Sequence, residues 1–255
     1  QVEMVRTVSG CEHAEILRPA YAVEYDFVFP HQIRPTLETK PCLNLYLAGQ
    51  INGTSGYEEA GAQGLMAGMN AGCRIQSKPE VVLRRDQAYI GVLIDDLITK
   101  GTTEPYRMFT SRAEYRLMLR QDNADLRLCK IGNVTGTVNR RLFSIFCAKR
   151  DQIDQEIQRL DNIQVDGVAL SQMLRRPEVS YAKLPSRDES LPSEVIEQVE
   201  IAVKYAGYIE RQEQEVERFR SMESKQIPDW LDYQAIIGLR NEARQKLNMH
   251  RPATV

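Results

Sequence analysis

The part of the sequence best suited to chemistry is a loop of small and polar residues at 49–56, which reads Gly-Gln-Ile-Asn-Gly-Thr-Ser-Gly. An apolar run at 43–48 precedes it and predicts a short buried strand, and residues 57–71 have helical spacing with no proline. The loop offers backbone N–H groups, two hydroxyls and two side-chain amides at the start of a helix, where unpaired N–H groups and the helix dipole favour negative charge. These residues predict a ligand site at a strand–loop–helix junction.

Small residues line one face of the helix that follows this loop. They are Ala60, Gly61, Gly64, Ala67 and Gly68, at steps of three and four. A face this small lets the helix backbone approach a sheet or a flat cofactor closely. Because neither phosphate-binding fingerprint, G-x-G-x-x-G or G-x-x-x-x-G-K, occurs in this segment, packing against a sheet and contact with a cofactor remain equally open.

Arginine recurs every four residues at Arg112, Arg116 and Arg120, in a segment whose periodicity predicts a helix. This spacing places three guanidinium groups on one helix face, with Arg107 and Arg127 nearby in the sequence. A row of arginines suits contact with nucleic-acid phosphates. A solvated or salt-bridged face is the alternative, because several acidic residues are close by in the sequence.

Composition excludes several classes of site. Five cysteines, an odd number without a C-x-x-C pair, and three isolated histidines argue against a disulfide framework or a metal site and for a reducing compartment. No apolar run approaches the 18 residues of a membrane span. The net charge of −2 gives no overall attraction to nucleic acid, so any RNA contact must be local. Because the chain starts at Gln1 and at once resembles a domain interior, we expect a further segment before it.

Helical periodicity dominates the sequence after about residue 85. The predicted helices cover residues 87–99, 111–121, 139–160 and 193–225. The last of these, at about 30 residues, would be roughly 45 Å long, which suits a helical bundle or arm.

Several long motifs, in order along the chain, resemble the GidA/MnmG family. They lie at residues 18–26, 35–38, 45–60, 105–117, 122–127, 175–178 and 203–211. The resemblance implies an α/β segment over residues 1–85, the C-terminal part of a Rossmann-like FAD-binding domain of the glutathione-reductase type. It implies an all-α helical domain over residues 86–255, incomplete at its C-terminus.

The resemblance also implies a function. Members of this family use FAD, NADH and a folate one-carbon donor to add an aminomethyl or carboxymethylaminomethyl group to C5 of the wobble uridine in tRNA. They act in the cytoplasm as homodimers with a partner GTPase of the MnmE family. The pyrophosphate loop and the cysteines assigned to catalysis lie before Gln1 in the family, so the catalytic residues of this chain stay unknown and the chain alone is expected to be inactive.

The resemblance assigns residues to three parts of a site. Gln50 would contact the ribityl chain of FAD, although a loop-bracing amide is the alternative, and the N–H groups of Gly56 and Tyr57 would face the flavin pyrimidine edge. The whole expected cofactor set is Gly49, Gln50, Asn52, Gly53, Thr54, Ser55, Gly56 and Tyr57. Residues that would line the substrate side, unless they are ordinary strand residues, are Tyr21, Glu24, Tyr25 and Asp26. Residues expected to bind tRNA are Arg107, Arg112, Arg116, Arg120 and Arg127.

Two other functions remain open. The first is a folate- and FAD-dependent tRNA uridine methyltransferase, whose flavin loop is similar but which lacks the long helical extension after residue 140. The second is a fragment that binds tRNA or a protein partner without chemistry of its own.

Overall fold

The computed structural model describes residues 1–21, 24–223, 225–228 and 230–252. The chain forms two compact units, each discontinuous in sequence. The first unit contains residues Gln1–Val82 and Leu93–Met108, and the second contains Leu83–Val92 and Phe109–Val255. The division into functional domains at residue 85 stays a prediction, because compactness alone does not assign a function to either part.

Helices form most of the regular structure in the part of the chain that the structure describes. The α-helices are α1 (Val2–Arg6), α2 (Tyr57–Ile75), α3 (Tyr89–Lys100), α4 (Ala124–Thr135), α5 (Arg140–Asn162), α6 (Leu170–Leu174), α7 (Ser193–Glu223) and α8 (Asn241–His250). Short 3-10 helices occur at Pro30–Gln32, Gly49–Asn52, Thr110–Arg112 and Tyr181–Lys183. The strands β1 (Gln164–Val165) and β2 (Val168–Ala169) pair antiparallel as a small hairpin. The predicted helices at 87–99 and 139–160 are confirmed, and the one at 193–225 is confirmed up to Glu223. Residue 224 lies outside the described residues, and Lys225 is not helical.

Helix α2 is the central element of the first unit. Gly56 caps it in an extended conformation, Glu58 and Glu59 occupy its first turn and Arg74 its last, so the charges at both ends favour the helix dipole. Its buried face carries apolar residues and three polar ones, Glu59, Gln63, Met66, Ala67, Asn70 and Cys73. The predicted helix after the polar loop is therefore confirmed.

The predicted strand at 43–48 is wrong as a regular strand. The Leu47 N–H donates to the Leu37 carbonyl oxygen (3.1 Å), and the Leu45 carbonyl oxygen accepts from the Thr39 N–H (2.8 Å). Tyr46 makes an isolated bridge with Glu38. Leu37 has a left-handed backbone conformation (φ 68°), which interrupts the extended partner that a ladder requires, so only this short pairing forms among the described residues.

Open space surrounds three glycines on the small-residue face of α2 in the part of the chain that the structure describes. A Cβ atom built on Gly61, Gly64 or Gly68 would meet nothing within 4 Å among these residues. Packing on a sheet and contact with a cofactor therefore both stay predictions.

The second unit has a core built by packing α5 against α4, α6 and α7. The N-cap of α5 is Asn139, whose side chain accepts a hydrogen bond from the Leu142 N–H (2.9 Å). The buried apolar cluster contains Ile153, Leu160, Leu170, Leu174, Tyr181, Leu184, Val195, Val199 and Val203. The β1–β2 hairpin connects α5 to α6 beside this cluster.

The predicted helix at 111–121 is wrong. After the turn Thr110–Arg112 the segment forms separate turns, with the Met118 N–H donating to the Tyr115 carbonyl oxygen at 3.0 Å. Side chains form hydrogen bonds with carbonyl groups of this segment. The Arg120 side chain donates to the Leu117 carbonyl oxygen (2.6 Å), and the Asn123 side chain donates to the Met118 carbonyl oxygen (3.0 Å). Such side-chain bonds compete with the hydrogen bonds of a helix. The three arginines consequently do not share a helix face.

Candidate functional site

The loop at 49–56 reverses direction around two glycines. Gly49 (φ 79°) and Gly53 (φ 78°) adopt the left-handed conformation, which glycine allows without steric cost. Between them lies the 3-10 turn Gly49–Asn52, closed by a hydrogen bond from the Gly53 N–H to the Gln50 carbonyl oxygen at 3.0 Å. The loop is thus a defined turn, with the side chains of Gln50 and Ser55 exposed.

The buried side-chain amide of Gln63, on α2, forms hydrogen bonds with this loop. The Gln63 Oε1 accepts hydrogen bonds from the Gly49 N–H (2.7 Å) and the Thr54 hydroxyl (3.1 Å), and its Nε2 donates to the Asn52 carbonyl oxygen (3.3 Å). The Gln63 side chain is fully buried. The loop-bracing amide considered for Gln50 is therefore located at Gln63, a residue that no sequence motif identified.

Glu59 fixes the end of the loop where α2 begins. Its carboxylate accepts a hydrogen bond from the Met108 N–H (2.9 Å) and forms an ion pair with Arg107 (3.3 Å). Burial raises the pKa of Glu59, but hydrogen bonds from the Met108 and Glu59 N–H groups and the Arg107 charge outweigh it, so the pKa lies below its usual range. A side chain at Gly56 would overlap this carboxylate, which explains the glycine there.

A cleft of about 150 Å³ opens beside the loop in the first unit. One side is the loop itself, and the other side is formed by the aromatic residues Tyr25 and Phe27 together with residues 102–105. The segments are joined by backbone hydrogen bonds from Tyr106 to Gly53 (2.8 Å) and from Val28 to Ile51 (2.8 Å). The lining residues are Tyr25, Phe27, Gln50, Gly53, Thr54, Ser55, Thr102, Thr103, Glu104 and Pro105.

The predicted substrate-side residues separate in the structure. Tyr25 lines the cleft, whereas Tyr21, Glu24 and Asp26 are exposed and do not line it. Sequence reasoning missed Phe27, whose ring contacts Phe29 edge-on at 5.5 Å between centroids. The alternation of aromatic residues at 25, 27 and 29 is a signal that would have identified it.

The lining of the cleft combines aromatic side chains with a few polar groups. Such a combination is common in sites that bind small molecules. Gln50 and Ser55 bring an exposed amide and an exposed hydroxyl to the cleft, whereas the buried Thr54 hydroxyl donates to Gln63. Asn52 is buried and donates to the Leu47 carbonyl oxygen at 3.3 Å, and Tyr57 is 93% exposed, so neither lines the cleft.

The predicted tRNA-binding arginines differ in their surroundings. Arg107 is half exposed and pairs with Glu59, and Arg112 and Arg116 are exposed. Arg120 pairs with Asp122 at 3.1 Å. Arg127 is half-buried; it donates to the Asn123 side chain (3.0 Å) and to the carbonyl oxygens of Arg120 (2.9 Å) and Gln87, and burial followed by the Arg120 charge lowers its pKa.

The described residues contain no group of three histidine, cysteine or acidic side chains that could hold a metal ion. The five cysteines are free thiols, and burial, with the charge of Asp125, raises the pKa of Cys129. None of the described helices is both long and apolar enough to cross a membrane.

Comparison with known families gives three matches along the chain. The model described as glucose inhibited division protein A matches residues 1–79. The model of the tRNA modifying enzyme MnmG/GidA C-terminal helical domain matches residues 141–213, and that of the MnmG/GidA C-terminal helical bundle matches residues 215–255.

Curated relatives and solved structures agree with these matches. The tRNA uridine 5-carboxymethylaminomethyl modification enzyme MnmG of Bacillus cereus (strain ATCC 10987) is 54% identical over 100% of this chain and 44% of its own length. The protein of the same name from Enterococcus faecalis is 49% identical over the same shares. Aquifex aeolicus GidA, in its form I crystal, is 42% identical with a TM-score of 0.76, covering 99% of this chain and 42% of that one. The chain therefore spans less than half the length of these relatives.

Proposed function

The chain belongs to the GidA/MnmG family, and we propose that it is the C-terminal part of a FAD-dependent enzyme that modifies the wobble uridine of tRNA. The curated relatives are named as tRNA uridine 5-carboxymethylaminomethyl modification enzymes. The reaction adds an aminomethyl or carboxymethylaminomethyl group to C5 of the base. The observation that carries the proposal is the cleft beside the loop at 49–56, whose lining combines the aromatic residues Tyr25 and Phe27 with the polar residues Gln50 and Ser55.

In this proposal the loop binds the cofactor. The Gln50 amide contacts the ribityl chain and the Ser55 hydroxyl contacts the polar edge of the ring. The N–H groups of Gly56 and Tyr57, which the resemblance places at this edge, belong to residues outside the lining of the cleft. Tyr25 and Phe27 cover the apolar side and exclude water. Bound FAD supplies the redox chemistry, with NADH as reductant and a folate as one-carbon donor. Donors at the ring edge stabilise negative charge on the reduced cofactor.

The tRNA and protein partners complete the proposal. Arg107, Arg112 and Arg116, which are exposed or half exposed, contact tRNA phosphates, whereas Arg120 and Arg127 act through the intramolecular bonds they make. The protein works as a cytoplasmic homodimer with a GTPase of the MnmE family. These partners are supported by the motifs that the chain shares with the family.

The function is tested by genetic complementation. A strain lacking the gene for the full-length protein that contains this chain should have an unmodified wobble uridine, as read by mass spectrometry of digested tRNA, and the restored gene should return the modification. A 5-methyluridine at another position that depends on this gene would favour the methyltransferase instead. No change in any uridine would favour a fragment without chemistry.

The cofactor site is tested by substituting Gln50. In the full-length protein, Gln50→Ala should weaken FAD binding roughly tenfold, because it removes hydrogen bonds each contributing about 1 kcal/mol. The matched control is Gln152→Ala, which truncates an exposed glutamine on α5. The dissociation constant is measured by flavin fluorescence. Equal FAD affinity in both variants would remove Gln50 from the site.

A further inference from the structure

Helix α2 carries three buried polar side chains that hold three different parts of the first unit. Glu59, Gln63 and Asn70 are each at least 95% buried. Buried polar groups are generally hydrogen-bonded. Glu59 binds the backbone at Met108, Gln63 binds the loop, and Asn70 binds the backbone at Thr36 and Val81. The helix thus holds the neighbouring segments by hydrogen bonds from its side chains to their backbone groups.

Gln63 is the member of this set whose bonds all end on the candidate cofactor loop. Its bonds to Gly49, Asn52 and Thr54 bracket the residues that line the cleft. The Gly49 N–H precedes Gln50, and the Asn52 carbonyl and Thr54 hydroxyl lie on either side of Gly53. Gln63 itself is fully buried and does not line the cleft. Its effect on any ligand must therefore pass through the loop.

We propose that Gln63 is a positioning residue that sets the orientation of the cofactor loop and thereby of Gln50 and Ser55. The inference rests on the proposed binding of FAD at this loop. A loop held within a fraction of an ångström keeps its donors aimed at the flavin edge without ordering cost when the cofactor binds. Without the Gln63 amide, the Gly49 N–H and the Thr54 hydroxyl lose their shared acceptor and the turn relaxes.

Asn70 provides a matched control on the same helix. It is also fully buried, and its amide donates to the carbonyl oxygens of Thr36 (3.2 Å) and Val81 (3.0 Å) and accepts from the Val81 N–H (2.7 Å). None of these bonds reaches residues 49–56. Replacing Asn70 therefore removes as many buried hydrogen bonds as replacing Gln63 while leaving the loop in place.

The experiment compares Gln63→Met with Asn70→Leu in the full-length protein that contains this chain. Both variants should melt at a lower temperature than the wild type. Only Gln63→Met should raise the dissociation constant of FAD, by roughly tenfold, which corresponds to about 1.4 kcal/mol. It should also shift the visible absorption bands of the bound flavin, because the donors around the ring have moved. Asn70→Leu should keep the wild-type bands and affinity.

The outcomes separate the inference from the function on which it rests. A wild-type protein that binds no FAD would refute the flavin part of the proposed function. A wild-type protein that binds FAD, with Gln63→Met equal to it in affinity and spectrum, would overturn the positioning role alone. If Gln63→Met does not fold, Gln63→Asn decides. It keeps a neutral amide but is one methylene shorter, so it cannot reach the Gly49 N–H, the Thr54 hydroxyl and the Asn52 carbonyl oxygen together. Unchanged FAD affinity and spectrum in this variant would also overturn the role.

Discussion

Arg116 and Arg120 lie four residues apart but differ in exposure and in the bonds that their side chains make. Arg120 donates to the Leu117 carbonyl oxygen and pairs with Asp122, which in turn accepts from Gln198 on α7 at 2.7 Å. Burial raises the pKa of Asp122, but the hydrogen bonds from Gln198 and Arg120 outweigh it, and the pKa is lowered. Arg116 is exposed and makes no side-chain hydrogen bond or ion pair with the residues that the structure describes. Its charge is therefore available to a partner.

This difference predicts that two alanine substitutions in the full-length protein affect different properties, one tRNA binding and the other stability. Arg116→Ala should weaken tRNA binding for all sequences and reduce the slope of log affinity against log salt by about 0.7 to 0.9, the value of one phosphate contact. It should leave the melting temperature unchanged. Arg120→Ala should lower the melting temperature, because it removes bonds that hold the turns at 117–123. Fluorescence anisotropy at several salt concentrations measures the slope. An Arg116→Ala variant with the wild-type slope would contradict the phosphate contact.

The residue types of the site were more predictable from the sequence than the bonds among them. The loop at 49–56 and Tyr25 could be proposed from the sequence because glycines, hydroxyl groups and aromatic residues are typical of binding sites. Gln63 could not, because nothing in a local motif says that a glutamine lies under a loop 14 residues earlier in the chain. The signal that existed was weak: a polar residue in the buried stripe of an amphipathic helix, four residues after Glu59.

At the scale of elements, helical periodicity identified the long helices α5 and α7 because their apolar residues face a common core. The same reasoning failed at 111–121. There the buried residues Ala113, Tyr115 and Leu119 follow a pattern that serves turns as well as a helix. The helix α4 was not predicted, because most of its side chains are half-buried and Gly132 is its only fully buried residue among those described. Periodicity finds an element only where one face is distinctly buried.

An ion pair joins the C-terminal part of α7 to the segment before α3. Asp86 pairs with Arg84 (2.9 Å) and with Arg220 on α7 (2.7 Å). Burial raises the pKa of Asp86, but the hydrogen bonds and charges of Arg84 and Arg220 outweigh it, and the pKa is lowered. A carboxyl group whose pKa is lower in the folded state stabilises the fold above its unfolded pKa, near 4, and loses this contribution as pH falls through the folded value.

We therefore expect Asp86→Asn to reduce the free energy of unfolding at pH 7 by about 1–2 kcal/mol. The difference from the wild type should shrink below about pH 4, as the wild-type carboxylate becomes protonated. Urea unfolding followed by circular dichroism at pH 7 and pH 3 measures both values. Asp151→Asn is the control, because Asp151 is an exposed acid paired with Arg150 and should change stability by less than about 1 kcal/mol. A difference that stays constant with pH would contradict the role of Asp86.

At the scale of the whole molecule, the proposed FAD site would lie only partly within this chain. The cleft of about 150 Å³ is smaller than the roughly 300–1,000 Å³ of typical ligand pockets, whereas FAD carries an adenosine and a pyrophosphate besides its flavin. No G-x-G-x-x-G fingerprint occurs in the sequence, and the chain spans 44% of the Bacillus cereus relative. In the proposed function, the pyrophosphate is bound by a part of the full-length protein outside this chain. The flavin edge and the phosphates would then be bound by different parts of the full-length protein.

This division predicts that the isolated 255-residue chain binds FAD at least roughly a hundredfold more weakly than the full-length protein. The loss of two charge-assisted hydrogen bonds to phosphate, each contributing about 1.5 kcal/mol or more, is enough for this factor. The affinity for riboflavin, which lacks the phosphates, should differ much less between the isolated chain and the full-length protein. Fluorescence titration of both proteins with both ligands measures the two ratios, and circular dichroism verifies that the isolated chain keeps its helices. If the folded chain alone bound FAD as tightly as the full-length protein, the phosphates would have to be bound within residues 1–255, and the assignment of that role to another segment would be wrong.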